Sequence, residues 1–421
     1  TIKTFTSNEN TSFNVTGLKA SATFKFRLRA YKNFGSAKEY SAFTYLDVNT
    51  IPYTTTGMKC SSKTDVSANL QWDKNTGASG YELQKYDGSK WVTIKTFTSN
   101  ENTSFNVTGL KASATFKFRL RAYKNFGSAK EYSAFTCLDV NTIPYTTTGM
   151  KCSSKTNVSV NLQWDKNIGA SGYELQKYDG SKWETIKTFT SNENTSFNVT
   201  GLKASATFKF RLRAYKNFGS AKEYSAFTYL DVNTIPYTTT GMKCSSKTDV
   251  SANLQWDKNT GASGYELQKY DGSKWVTIKT FTSNENTSFN VTGLKASATF
   301  KFRLRAYKNF GSAKEYSAFT YLNVNTRPYT TTGFKMKSAK KNTITLKWNK
   351  NISASGYCIE KWNGSKWVQI KRYTSNANVT YTATGLKANT AYKFRIRAYK
   401  TIGKVNEYSA YSAVVTARTK K

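Results

Sequence analysis

Lys393, Arg395 and Arg397 stand at alternate positions, Tyr399 is next in the same series, and Trp362 ends another stretch of similar alternation. Alternate residues of a β-strand share one face. Three cations and two aromatic rings would then line one side of a sheet, an arrangement that holds anions by Coulomb attraction and moves no protons. The sequence offers little other chemistry. It has no His, and with it goes the commonest general base and metal ligand. Its five Cys have no C-x-x-C spacing, which argues against a zinc site or a thioredoxin-type pair. No acidic pair sits in a conspicuous Gly-rich or loop insertion. No catalytic residue, metal site or cofactor is therefore nominated, and a non-enzymatic protein is expected.

The cations are unevenly spread. The 421 residues carry a formal net charge of +38, which attracts polyanions without saying anything of the fold. Residues 329–421 hold 19 Lys and Arg against only Glu360 and Glu407, a net +17, and the preceding 328 residues have a net +21. Acidic positions of the earlier sequence are replaced, Asp65 by Lys341 and Asp73 by Asn349, and Lys340, Arg372 and Lys404 add further charge. Such asymmetry points to an anionic partner for the last segment. A cell-wall polymer or acidic polysaccharide is the expected partner, and nucleic acid would bind non-specifically by the same attraction.

What must position these residues is a repeat. The segment beginning Thr1-Ile-Lys-Thr-Phe recurs at Thr93, Thr185 and Thr277, and in divergent form from Gln369, at a spacing of 92 residues. Pro52, Pro144, Pro236 and Pro328 share that spacing and mark the junctions. The units are 53–144, 145–236, 237–328 and 329–421, preceded by a partial unit, 1–52. A 92-residue unit can bury its own core, so an array of domains is expected and not a solenoid. Unit 53–144 differs from the next at five positions and from the third at three. Near-identity suits a role in which number and length matter more than individual specificity.

Within 53–144, Met58 and Cys60 alternate with polar residues in a first strand, and Ala68, Leu70 and Trp72 in a second. Tyr81 and Leu83 mark a third. Asp87-Gly88 reads as a tight turn into a fourth at Trp91–Ile94. Phe105, Val107 and Leu110 belong to a fifth, Phe116, Phe118, Leu120 and Ala122 to a sixth, and Tyr132–Val140 to a seventh. Seven short strands with period-two patterning predict an antiparallel sandwich.

The unit resembles the fibronectin type III family. The likeness rests on Trp72, Gly80-Tyr81-x-Leu83, Trp91, Val107-Thr-Gly-Leu110-Lys-Ala, Phe116-Lys-Phe-Arg-Leu-Arg-Ala122, Gly127 and Ser133, and it recurs in every complete unit. It implies an all-β tandem array of seven-stranded antiparallel sandwiches. In style the units resemble modules of secreted or cell-surface proteins of Gram-positive bacteria. Such modules act as spacers or adhesive domains beside flanking catalytic or surface domains. Nothing in the sequence spans a membrane, and an extracellular or cell-surface location is expected. The family's Tyr near the start of the sixth strand is kept only as Tyr392. Phe24, Phe116, Phe208 and Phe300 replace it, at a cost of about 1 kcal/mol for the lost hydrogen bond.

Several expectations follow from register. Cys60, Cys152 and Cys244 share a position with Met336 and are expected in the core. Cys137 stands where other units have Tyr. Cys358 takes the place of Glu82 and is expected as an exposed thiol. Lys117, Arg119 and Arg121 should pair across strands with Glu82, Gln84 and Tyr86 on a solvated face, for tenths of a kcal/mol each. In the last unit Cys358, Glu360 and Trp362 replace that trio beside Lys393, Arg395, Arg397 and Tyr399, which sets a binding reading there level with the structural one. Residues 1–52 are expected to supply only the fourth to seventh strands of a unit begun upstream. Ile51, Ile143 and Ile235 precede their prolines, whereas Arg327 breaks the pattern, so the last unit is expected to be the most loosely docked.

Overall fold

The structure is a computed structural model describing all 421 residues, and it consists of strands, turns and loops without a helix. Unit 53–144 shows why. Its strands are β5 (Lys59–Lys63), β6 (Ser67–Gln71), β7 (Gly80–Tyr86), β8 (Trp91–Phe97), β9 (Ser104–Thr108), β10 (Thr115–Phe126), β11 (Ala129–Tyr132) and β12 (Thr136–Asn141), following β1 (Thr23–Leu28), β2 (Tyr31–Phe34), β3 (Ala37–Tyr40) and β4 (Thr44–Asn49) of the partial unit. One sheet has the order β5-β6-β9. The other has β8-β7-β10-β11, with β12 also on β10. All pairings are antiparallel, with Leu70 opposite Phe105 and Leu120 opposite Leu83.

The apolar alternates of both sheets meet between them. Ala68, Leu70, Tyr81, Leu83, Phe118, Leu120 and Ala122 are fully buried, with Trp72 beside them. Each large aliphatic side chain so buried contributes about 1.5–3 kcal/mol. Trp72 packs edge-on to Tyr81 at 5.7 Å and against Phe97 at 5.3 Å. The Tyr81 hydroxyl accepts from the Asn75 N–H at 2.8 Å and donates to the Asn100 carbonyl at 3.1 Å. The ring can therefore be buried without an orphaned hydroxyl.

The seventh strand differs from expectation: it is two pieces, β11 and β12, flanking Ser133-Ala134-Phe135. The Ser133 N–H still donates to the Ala122 carbonyl, but the Ala122 N–H donates to Ser133 Oγ instead of a backbone oxygen. A side chain completes the ladder, and the main chain is free to kink there.

The chain forms two compact units by contact. The first is Thr1–Cys152, Leu162–Phe197 and Lys209–Asp231, and the second is Ser153–Asn161, Asn198–Phe208 and Val232–Lys421. The division runs through the repeat 145–236. In the first compact unit, strand Gly172–Tyr178 pairs with Trp183–Phe189 and keeps Leu175 opposite Leu212. In the second, the Leu202 N–H donates to the Val158 carbonyl. The second also holds the complete cores of 237–328 and 329–421, centred on Trp256 and Trp348.

Residues 1–52 form less than their sequence suggests. Strands β1 and β4 pair, as do β2 and β3, but residues 1–22 contain no strand. The expected fourth and fifth strands are thus absent. In 53–144 these need β7 and β6 as partners, and 1–52 has no such segments. Leu28 is 66% exposed where its counterpart Leu120 is 0% exposed.

Tyr392 behaves as the family resemblance implies. Its hydroxyl accepts a hydrogen bond from the Lys387 N–H at 2.8 Å, fixing the turn before the strand Ala391–Ile402.

Candidate functional site

The outward face of the five-stranded sheet is not solvated as expected. In 53–144, Glu82 and Gln84 are buried although they point away from the core. Arg121 lies opposite Glu82, and Arg119 opposite Gln84. Arg121 Nη2 donates to Glu82 Oε2 at 3.0 Å, and Arg119 Nε donates to Gln84 Oε1 at 2.7 Å. Gln84 and Thr93 also donate to Glu82 Oε1. Burial, the largest influence on Glu82, would raise its pKa. The hydrogen bonds from Arg121 and Thr93, the Arg121 charge and the Gln84 bond outweigh it, and the carboxyl ends up below its ordinary value.

Aromatic rings make the lid. The Arg119 guanidinium lies 4.4 Å from the Trp91 centroid and 3.9 Å from Phe135, and Arg121 lies 3.7 Å from Tyr132 and 4.7 Å from Phe135. Trp91, Arg119, Phe135, Arg121 and Tyr132 thus alternate as a ladder. The kink at Ser133 lets both Tyr132 and Phe135 fold onto the same face. Stacking of this kind contributes about 0.5–2 kcal/mol per contact, more where water is excluded. The ladder recurs as Trp183, Arg211, Phe227, Arg213 and Tyr224, and again as Trp275, Arg303, Phe319, Arg305 and Tyr316. Tyr229 and Tyr321 add a further ring on Trp183 and Trp275, at 5.8 Å each. Cys137 leaves Trp91 without one.

The last unit rearranges the rungs together. Its carboxylate has moved one rung along, from the Glu82 position to Glu360, opposite Arg395. Arg395 Nε and Nη2 donate to Glu360 Oε2 at 2.8 and 2.6 Å, and the Tyr411 hydroxyl donates to Oε1 at 2.6 Å. Tyr411 replaces Phe135, so the new hydroxyl serves the relocated carboxylate. Its own pKa is raised, first by burial and then by that bond. Arg395 stacks on Trp367 at 4.4 Å and Tyr411 at 3.7 Å, while Arg397 stacks on Tyr408 at 4.2 Å.

The nominated binding residues are therefore only partly on offer. Arg395 and Arg397 do stand on the outward face, but Arg395 is spent on Glu360 and both guanidinia are stacked on rings. Tyr399 is buried, its hydroxyl donating to the Tyr373 carbonyl at 3.0 Å over Gly356. A Cβ at Gly356 would collide with that carbonyl oxygen. Trp362 is half-buried against Trp367 at 5.5 Å. Only Lys393 is freely exposed. Cys358, expected at the surface, is 0% exposed. Burial raises its thiol pKa, with Arg372 and Arg397 opposing. Cys60 and Cys244 are half-buried at the core's margin and Met336 is exposed, so their shared register is an edge and not the deep core.

Sequence reasoning missed a second recurring feature, a contact between consecutive repeats. Lys63 Nζ lies 2.6 Å from Glu223 Oε1 in the first compact unit. In the second, Lys155 lies 2.5 Å from Glu315 and Lys247 2.6 Å from Glu407. Each pair joins one repeat's first strand to the next repeat's last hairpin, and each is substantially shielded, Lys63 and Glu223 being 29% and 21% exposed. A second contact accompanies them. Ser21, Ser113 and Ser205 lie so close to Gly77, Gly169 and Gly261 that a Cβ on those glycines would come within 2.7, 3.2 and 2.9 Å. The main chain around Arg327 follows that of Ile143: Ser297 N–H donates to the Arg327 carbonyl as Ser113 N–H does to Ile143. Arg327 is exposed where Ile143 and Ile235 are half-buried, so an apolar contact is given up there while the backbone bond and the Lys247–Glu407 pair are kept. A residue-by-residue comparison of repeats could have singled out the Glu, since it persists as Glu407 in a repeat that loses most of its other carboxylates.

The fibronectin type III domain family matches residues 54–136, 146–229, 238–321 and 329–415. Exoglucanase B of Cellulomonas fimi is 29% identical over 353 residues, 80% of this chain and 29% of the relative. Receptor-type tyrosine-protein phosphatase eta of Gallus gallus is 26% identical over 353 residues, 83% of this chain and 24% of the relative. The chain thus spans less than a third of the length of these curated relatives. A two-domain fibronectin type III segment of chicken tenascin aligns at 19% identity and a TM-score of 0.30, covering 43% of this chain and 99% of that one.

Proposed function

The chain belongs to the fibronectin type III family, and on that footing we propose that it is a non-catalytic extracellular spacer, a semi-rigid stalk that holds flanking domains of a longer protein apart. The observation that carries this reading is the recurrence of the Lys63–Glu223, Lys155–Glu315 and Lys247–Glu407 pairs between successive repeats. A flexible tether would need no such pair, whereas a stalk needs one at every joint. Near-identity of the first three complete repeats supports the same reading, because a spacer is tuned by repeat number. The likeness to Exoglucanase B of Cellulomonas fimi supports an extracellular setting, and no helix is long and apolar enough to cross a membrane. The test is deletion of one repeat at a time from the full chain. Loss of 53–144, 145–236 or 237–328 should shorten the maximum dimension in solution by the same step, roughly 25–35 Å for strands of this length. Unequal steps, or none, would count against a stalk.

A second reading is that the last repeat attaches the array to an anionic polymer. It is favoured by the fate of that repeat's two carboxylates, Glu360 and Glu407, each already engaged by a cation of this chain.

A further inference from the structure

We propose that the polymer docks on the outer face of the three-stranded sheet of 329–421, on Lys335, Lys337 and Lys347, and that it is a linear polyphosphodiester without bases. This rests on the second reading above and assigns it a face and a ligand chemistry.

The siblings serve as internal controls. Strands Lys335–Ala339 and Ile344–Lys347 pair so that Lys335 lies directly opposite Lys347. The same positions elsewhere are Lys59 opposite Gln71 and Lys243 opposite Gln255. Like charges directly opposed in a sheet destabilise it, and both lysines are exposed. Lys337 falls at the register shift, where Ser61 of the first complete repeat bonds Asn69. One cation in a sibling has become three, set among the hydroxyls of Thr345 and Thr382, which bond each other at 3.0 Å.

Counter-charges have gone at the same time. Lys341 stands in place of Asp65. Lys350 has Ala377 where its sibling Lys74 pairs with Glu101. Glu360 serves Arg395 and Tyr411, and Glu407 serves Lys247. No carboxylate of this repeat is left for the three lysines, so compensation comes from outside.

The residue types suit a phosphodiester. All three cations are ammonium groups, which meet phosphate as point charges and lack the guanidinium fork that grips carboxylate or phosphate bidentately. The repeat's arginines 395 and 397 are held in the ladder on the other sheet. The face offers no aromatic ring at Lys335, Lys337, Thr345, Lys347, Thr380 or Thr382, so it gives nucleobases nothing to stack on.

The experiment uses the full chain with poly(glycerol phosphate), polygalacturonate and single-stranded DNA as probes. One variant carries Lys337→Ser and Lys347→Gln, the residues its siblings already accommodate. A control with the same charge change carries Lys366→Ser and Lys371→Ser on the other sheet side. The wild type should bind poly(glycerol phosphate) most tightly. The first variant should weaken this about tenfold and lower the salt-dependence slope by about 2, one for each lysine removed. The control should change far less. Equal losses in both variants would overturn the assigned face and leave the second reading standing. Equal or tighter binding of polygalacturonate or DNA would overturn the ligand class. Failure of the wild type to bind any probe at low salt would sink the second reading itself, and this proposal with it.

Discussion

Lys247 of one repeat donates to Glu407 of the next at 2.6 Å, and Glu407 is one of only two carboxylates that the last repeat retains. That repeat has replaced the acidic residues its siblings carry at Asp65, Asp73, Asp87 and Glu101, yet keeps the one its predecessor needs. Keeping Glu407 runs against the local charge trend, which ties this carboxylate to its partner Lys247 in the preceding repeat.

The ladder predicts coupled substitutions. In 53–144, Glu82→Cys alone leaves Arg121 without its buried carboxylate and should cost about 3 kcal/mol. Adding Gln84→Glu and Phe135→Tyr recreates the arrangement of Cys358, Glu360 and Tyr411, and should recover stability to within about 1 kcal/mol of the parent. Chemical denaturation of the variants measures this. Simple additivity of the three changes would show that the rungs do not act together.

The corner tyrosine can be moved as well as removed. Tyr392→Phe should cost about 1 kcal/mol by freeing the Lys387 N–H, and Phe116→Tyr should gain a similar amount where the Lys111 N–H awaits a partner. Thermal unfolding reports both, and no gain from Phe116→Tyr would mean that the corner differs between repeats.

Acid should separate the repeats. Asp87 Oδ1 accepts from the backbone N–H groups of Lys90 and Ser89 and from the Ser89 hydroxyl, holding its pKa at about 2. Asp179 and Asp271 are held at about 2 by the same contacts. A depressed folded-state pKa gives stability that is present above the unfolded value of about 3.9 and lost as pH falls towards 2. Asn363 makes the corresponding bonds in the last repeat and does not titrate. NMR titration should therefore show three carboxyls with midpoints near 2 and a turn at Asn363 unchanged over pH 2–5.

Thiol chemistry gives a further check. Cys137 is exposed and Cys358 fully buried with a raised pKa. Cys137 should react with a thiol reagent in the native protein at neutral pH, and Cys358 only on unfolding. Native modification of Cys358, mapped by mass spectrometry, would contradict the sealed outer face.

The core was legible because alternation is a short-range signal. Leu70 with Trp72, and Phe118 with Leu120, place themselves by period two. The outer face was not, because alternation assigns Glu82, Arg119 and Cys358 only to the side away from the core. It does not reveal that Ser133 kinks the main chain and brings Phe135 over them. The joints were hidden for another reason: Lys63 and Glu223 are 160 residues apart, and nothing local to either marks a partner.

The central claim is that these joints hold successive repeats semi-rigidly. It is tested most directly by small-angle scattering from the full chain and from a variant carrying Lys63→Met, Lys155→Met and Lys247→Met. Each shielded pair is worth only about 1 kcal/mol, so the repeats should stay folded by circular dichroism. The wild type should show a narrow distribution of maximum dimension and the variant a broader, more compact one, the difference shrinking in 1 M salt. Identical profiles for the two proteins at low salt would contradict the account.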